Sequence, residues 1–204
     1  MTALGLPWFK PIAMLLVMQA AGHDSVVYDL APTPLTRLEV RTGKAGLLGF
    51  AGHEHVIAAR AFSGRIVVYP DRHAASHVRV TIPTDRLVAL TPPDTAEIRK
   101  VTQAMREDVL DVKDYPEITL TSRTVEWTAD TVRMHASLTI KGQTREIPLV
   151  VRIVVAGDTM RANTSFAIKQ TDFGIRPYRG GPGGTVRVAD RVTFMIEAIA
   201  LRQR

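Results

Sequence analysis

The sequence predicts an all-β fold, an antiparallel sandwich or barrel that carries a single helix. Three observations support this. Apolar and polar residues alternate with period two through many short runs, which is how a strand presents one dry and one wet face. Gly, Pro and Asp turns separate these runs, as in small β-sandwiches and barrels. Helical spacing occurs in one segment, around residues 94–110, whereas a parallel sheet would need a helical crossover between most strands.

Composition sets the outer bounds. The 204 residues are 46% hydrophobic and 23% charged, ordinary values for a folded chain. Aromatics are only 6%, so the apolar material is mostly aliphatic. With no cysteine, disulfide frameworks, thiolate metal sites and cysteine nucleophiles are all excluded.

Along the chain, residues 1–22 come first. They hold one charge, Lys10, then the apolar run Ile12 to Met18 and the small residues Ala20, Ala21 and Gly22. That order is expected of a secretory signal, and the run is much shorter than the ~20 residues of a spanning helix. Residues 23–204 are then expected to form one domain, and loss of Lys10 lowers the net charge from +6 to +5.

Strands are expected over Leu35 to Arg41, Ala61 to Tyr69 and His77 to Ile82. In the helix that follows, Asp94 can cap the first amides while Glu97 reaches back to it. Ile98, Val101, Met105 and Val109 form its apolar stripe. Glu117 to Trp127 is the next strand. A hairpin comes after it. Val132, Met134, Ala136, Leu138 and Ile140 share one face, and Lys141, Gly142 and Gln143 supply the turn. Ile147, Leu149, Val151, Ile153 and Val155 then share the returning face. Arg161 to Lys169 and Val192 to Leu201 complete the set.

Several chemistries can be weighed from these residues. His53 and His55, at i and i+2, would point the same way on a strand and would suit two metal ligands, with a third drawn from His135, His73 or His77. On a turn they would simply hydrogen-bond the backbone. The glycine-rich stretch 174–184 carries Arg176 and Arg179, which suit an anion. It lacks the Gly-Lys-Ser/Thr ending of a P-loop, and its plainer reading is a hairpin loop. There is no Gly-x-Ser-x-Gly elbow or His-Glu-x-x-His helix, so no catalytic set is expected. The Lys and Arg residues are scattered and not interleaved with aromatics, so no nucleic-acid partner is expected. An apolar inner sheet face remains. It is either filled core or, in a barrel of about eight strands, the lining of a small-ligand cavity suited to a lipid chain.

Three motifs in order resemble the YceI-like family. They are Asp111-Val112-Lys113-Asp114-Tyr115-Pro116-Glu117-Ile118-Thr119-Leu120-Thr121-Ser122, Leu138-Thr139-Ile140-Lys141-Gly142-Gln143-Thr144-Arg145-Glu146-Ile147-Pro148-Leu149, and Ala167-Ile168-Lys169-Gln170-Thr171-Asp172-Phe173-Gly174-Ile175 followed by Val188-Ala189-Asp190-Arg191-Val192. The resemblance spans about residues 26–200. It implies an extended eight-stranded antiparallel lipocalin-like barrel, a periplasmic or secreted location, and an isoprenoid or other amphiphilic lipid as partner, with no reaction and no cofactor besides the lipid. One departure is that Val109 and Leu110 stand where the family often has a Phe-Phe pair.

On this reading the candidate contacts to the lipid chain are Phe50, Phe62, Met105, Leu110, Met134, Leu138, Phe166, Phe173 and Phe194. His55, Arg176 and Arg179 are headgroup or gate candidates. Peripheral contact with an anionic membrane fits the net charge of +6. The alternatives are a metal-binding or redox accessory protein using His53 and His55, and a structural barrel with a filled core.

Overall fold

A computed structural model describes residues 25–45, 54–90, 95–180 and 186–204. The segment 1–22, Phe50, His53 and the Asp94 cap lie outside the described residues.

Among the described residues, twelve strands form one antiparallel sheet. In chain order they are β1 (Val26–Leu30), β2 (Arg37–Ala45), β3 (His55–Ala59), β4 (Ser63–Val68), β5 (His77–Pro83) and β6 (Leu87–Ala89). After helix α1 (Thr95–Ala104) and a π-helical turn (Met105–Val109) come β7 (Glu117–Thr128), β8 (Thr131–Ile140), β9 (Gln143–Ala156), β10 (Thr159–Lys169), β11 (Arg179–Gly180) and β12 (Val186–Arg202). The ring β1-β4-β5-β7-β8-β9-β10-β12 closes on itself, because Tyr28, Asp29 and Leu30 pair with Arg202, Leu201 and Ala200. This is the closed eight-stranded barrel. Strands β2, β3 and β6 carry the wall beyond that ring toward one end.

The extension arises because three staves break. Pro32 and Pro34 interrupt the stretch between β1 and β2, where a fixed φ and a missing amide end the ladder. β5 and β6 are separated by the 3-10 turn Thr84–Arg86, and the Arg86 carbonyl accepts the Arg60 amide at 2.9 Å across the break between β3 and β4. These short strands have too few residues to display an alternation, so β1, β3 and β6 were not legible as strands. The longer runs were: β5, β7, β8, β9, β10 and β12 fall where the alternation puts them. In the β8–β9 hairpin, Lys141 and Gly142 both have positive φ (47° and 71°), the mirror-image turn that matches strand twist.

The interior has two apolar clusters along the barrel axis. Tyr28, Leu30, Phe62, Val68, Met160 and Ala200 fill one end. Ala136, Leu138, Leu149, Ile168, Phe173 and Val192 belong to the second cluster, with Met105 and Phe194 packed against it. Of the inward set expected for the β8–β9 hairpin, Val155 alone is substantially exposed, at 48%, because it sits at the strand's end.

Candidate functional site

Among the described residues, β6 pairs with β3 alone. Its other edge is met by α1 and the π turn, which supply the missing partners. The Ala89 amide donates to Thr102 Oγ1 at 3.0 Å, and Arg106 donates from Nη2 and Nε to the Leu87 carbonyl at 2.9 and 3.2 Å. A bare strand edge is thus satisfied by helix side chains. The apolar stripe of the helix then faces the barrel interior.

Beneath the helix lies a cavity of about 590 Å³. Ile57 and Ala59 of β3, Val40 of β2, and Val192 and Phe194 of β12 form one wall. Val101, Ala104, Met105 and Val109 form the roof. The lining is mostly aliphatic. Its polar members include Thr42, His55, Glu97, Lys100, Gln170, Tyr178 and Arg187. Thr42 Oγ1 accepts the His55 amide at 3.1 Å, and Gln170 Nε2 donates to the Ala189 carbonyl at 2.8 Å, so both are partly committed to the scaffold.

Each of the three sequence motifs builds a junction around this end. Thr84, at the break after β5, is 2% exposed and bonds the Tyr115 carbonyl through Oγ1 and the Pro116 carbonyl through its amide, both at 2.8 Å. The Asp111-to-Pro116 turn therefore fixes where the helix returns to β7. Lys141 Nζ donates to the Val109 carbonyl at 3.0 Å, placing a cation at the end of the π turn, where the helix dipole is negative. Asp190 accepts the Thr171 amide at 2.9 Å and its hydroxyl at 2.8 Å, and these bonds hold its carboxyl below the ordinary carboxylate pKa. That clamp ties the turn Gln170–Phe173 to β12 and supports Gln170 and Ile175 in the wall.

The candidates named from sequence fall into distinct places. Met105, Leu110, Phe194 and His55 line the cavity. Phe166 stands beside it, stacked on Phe194 with ring centroids 4.7 Å apart. Leu138 and Phe173, 2% and 1% exposed, lie in close-packed core, and half-buried Met134 packs against that core. Phe62 belongs to the filled end. Arg176 and Arg179 are exposed and do not line the cavity, although Arg179 pairs directly with Arg187, which does. Among the described residues, no group of three His, Asp or Glu is arranged to hold a metal ion. None of the described helices is long and apolar enough to cross a membrane. Sequence reasoning missed Ile57, Lys100, Tyr178 and Arg187. Lys100 alone left a readable signal, being one turn from Glu97 on the same helix face.

Residues 42–200 match the family model of the YceI-like domain. The fold is similar to BcnA of Burkholderia cenocepacia, at 20% identity and TM-score 0.57, over 86% of this chain and 95% of that one. It is also similar to a polyisoprenoid binding domain from Saccharophagus degradans, at 12% identity and TM-score 0.60, over 86% of this chain and 98% of that one. A YCEI protein of Campylobacter jejuni matches at 19% identity and TM-score 0.55, over 72% of this chain and 84% of that one. No curated protein matches the chain.

Proposed function

Since the chain belongs to the YceI-like domain family, we propose that it binds an amphiphilic lipid with an isoprenoid-like chain, held inside the barrel for transport, storage or sequestration. The observation that carries this reading is the aliphatic cavity of about 590 Å³, which stops at a filled barrel end. A purely structural barrel has no use for such a void, since unfilled apolar space costs stability. At roughly 30 Å³ per water-sized group, the space holds about 20 chain atoms. Each buried methylene contributes about 0.8 kcal/mol, so a chain of that size supplies ample driving force even after the cost of immobilising it. The description of the Saccharophagus degradans domain as polyisoprenoid-binding supports the same ligand class here.

The proposed role is binding and not turnover. Its setting outside the cytoplasm rests on the export signal expected in residues 1–22, and the net charge of +5 left after removal of that segment suits exchange at an anionic membrane surface.

Fluorescence titration with a prenyl alcohol of about 20 carbons tests the binding step. Saturable uptake of one molecule per chain is expected. No uptake at micromolar protein overturns the proposal.

A further inference from the structure

The cavity ends at the same level on four different strands of the wall. Along β12, Val192, Phe194 and Ile196 line the hollow, and the next inward residues, Ala198 and Ala200, belong to the filled cluster. On β2, Leu38 does both: it borders the hollow and is a member of that cluster. β3 lines the hollow with Ile57 and Ala59, and three residues later Phe62 is in the cluster. On β5, Ile82 lines the hollow and Val80 packs on the filled side. The hollow therefore has a floor, made by Leu38, Ala59, Ile82 and Ile196.

Phe62 stands behind that floor. Ser63 pairs with Thr81, so the same register brings Phe62 abreast of Ile82. Its side chain is buried, and β12 contributes only the small side chains of Ala198 and Ala200 to the cluster around it. A bulky ring is thus needed at this level, because the facing strand leaves space. Leu38, Ala59, Phe62, Ile82 and Ile196 are hydrocarbon throughout. A hydroxyl brought down to them loses its water and finds no partner.

Resting on the chain-burial reading above, we infer that this floor reads the far end of the bound chain: it accepts an apolar terminus and rejects a polar one, and Phe62 and Ala59 set the depth at which the chain stops. A chain longer than the hollow leaves its surplus in water at the mouth and gains nothing from it. A shorter chain leaves part of the hollow empty. Length preference thus belongs to the floor, and the walls and roof contribute affinity without selecting length.

Prenyl alcohols of about 15, 20 and 25 carbons are titrated into the full chain, with a chain of about 20 carbons that carries a second hydroxyl at its far end. The unaltered protein is expected to bind the 20-carbon alcohol at least about tenfold tighter than the 15-carbon one, and the 20- and 25-carbon alcohols alike. The second hydroxyl should weaken binding by at least about tenfold, since it is buried without a partner. Ala59→Leu raises the floor, so the 15- and 20-carbon alcohols should bind equally, with the melting temperature held because the added carbons enter a void. Phe62→Ala lowers the floor, and the 25-carbon alcohol should then gain about tenfold over the 20-carbon one. If Phe62→Ala does not fold, Ala59→Leu and the two-hydroxyl chain decide the question. An unchanged length preference in Ala59→Leu, or equal binding of the two-hydroxyl chain, overturns the floor inference and leaves chain burial standing. Binding of no alcohol by the unaltered protein overturns both.

Discussion

Ile57 is half-buried on the cavity wall, and a tryptophan there would occupy the space assigned to the chain. Ile57→Trp is expected to weaken prenyl-alcohol binding by at least about tenfold, the equivalent of about 1.4 kcal/mol, with folding retained because the added volume enters a void. Titration alongside a melting curve checks it. Gly142 presents the opposite case: its φ is 71°, and a side chain there would bring Cβ within 2.8 Å of the Tyr115 ring. Gly142→Val should therefore lower stability by about 1 kcal/mol or more, measured by denaturant unfolding, and leave ligand preference unchanged. Asp190 adds a pH dependence. Its carboxyl is held below the ordinary pKa by the Thr171 bonds. A depressed acid stabilises the fold above its unfolded pKa and loses that contribution as pH falls through the folded value. An NMR titration should find its midpoint below that of an exposed aspartate, and Asp190→Asn should flatten the acid limb of the stability curve. At this scale the sequence was a partial guide. Aromatic residues signalled burial, but a buried Phe can fill core, as Phe62 and Phe173 do, or border a void, as Phe194 does. The side chain's identity is the same in both cases, and the difference lies in what stands opposite it.

The element that covers the cavity is α1 with its π turn. It provides the roof, and it is fastened to β6 by Thr102 and Arg106 and at its far end by Lys141. Arg106→Ala should cost about 1.5–3 kcal/mol, the range for a hydrogen bond with a charged partner, and should accelerate release of bound lipid. Stopped-flow displacement measures that release. Thr102→Val should speed hydrogen exchange at the Ala89 amide while the amides of β8 stay protected. The helix itself was legible in the sequence, since Val101, Met105 and Val109 recur at helical spacing and all three line the cavity. Its docking site was not. β6 is three residues long, and an edge strand that short leaves no periodic trace. The motifs 111–116, 138–145 and 167–175 could be read as landmarks, but their shared purpose, bracing one barrel end, emerges only when β5, β9 and β12 bring them together.

Across the whole molecule, barrel closure rests on contacts between the two ends of the described chain, with β1 completing the ring against the last residues of β12. Alternation predicted inward and outward faces well, because each strand's pattern is local. It could not predict whether the enclosed space is filled, because that depends on side chains from eight strands and a helix meeting at one point. The outcome is mixed along the axis: one end is packed by Tyr28, Phe62 and Met160, and the other is hollow beneath α1. The cavity volume sets an upper limit on useful chain length. Affinity should rise about fourfold per buried methylene-sized group and level off near 20 carbons, which a homologous series of prenyl alcohols would show. The central claim, that this barrel holds one lipid chain, is tested most directly by native mass spectrometry of the protein purified from a bacterial host, before and after addition of a prenyl lipid. The account predicts one bound lipid per chain, lost in Ile57→Trp. Recovery of lipid-free protein that takes up no added prenyl lipid would contradict it.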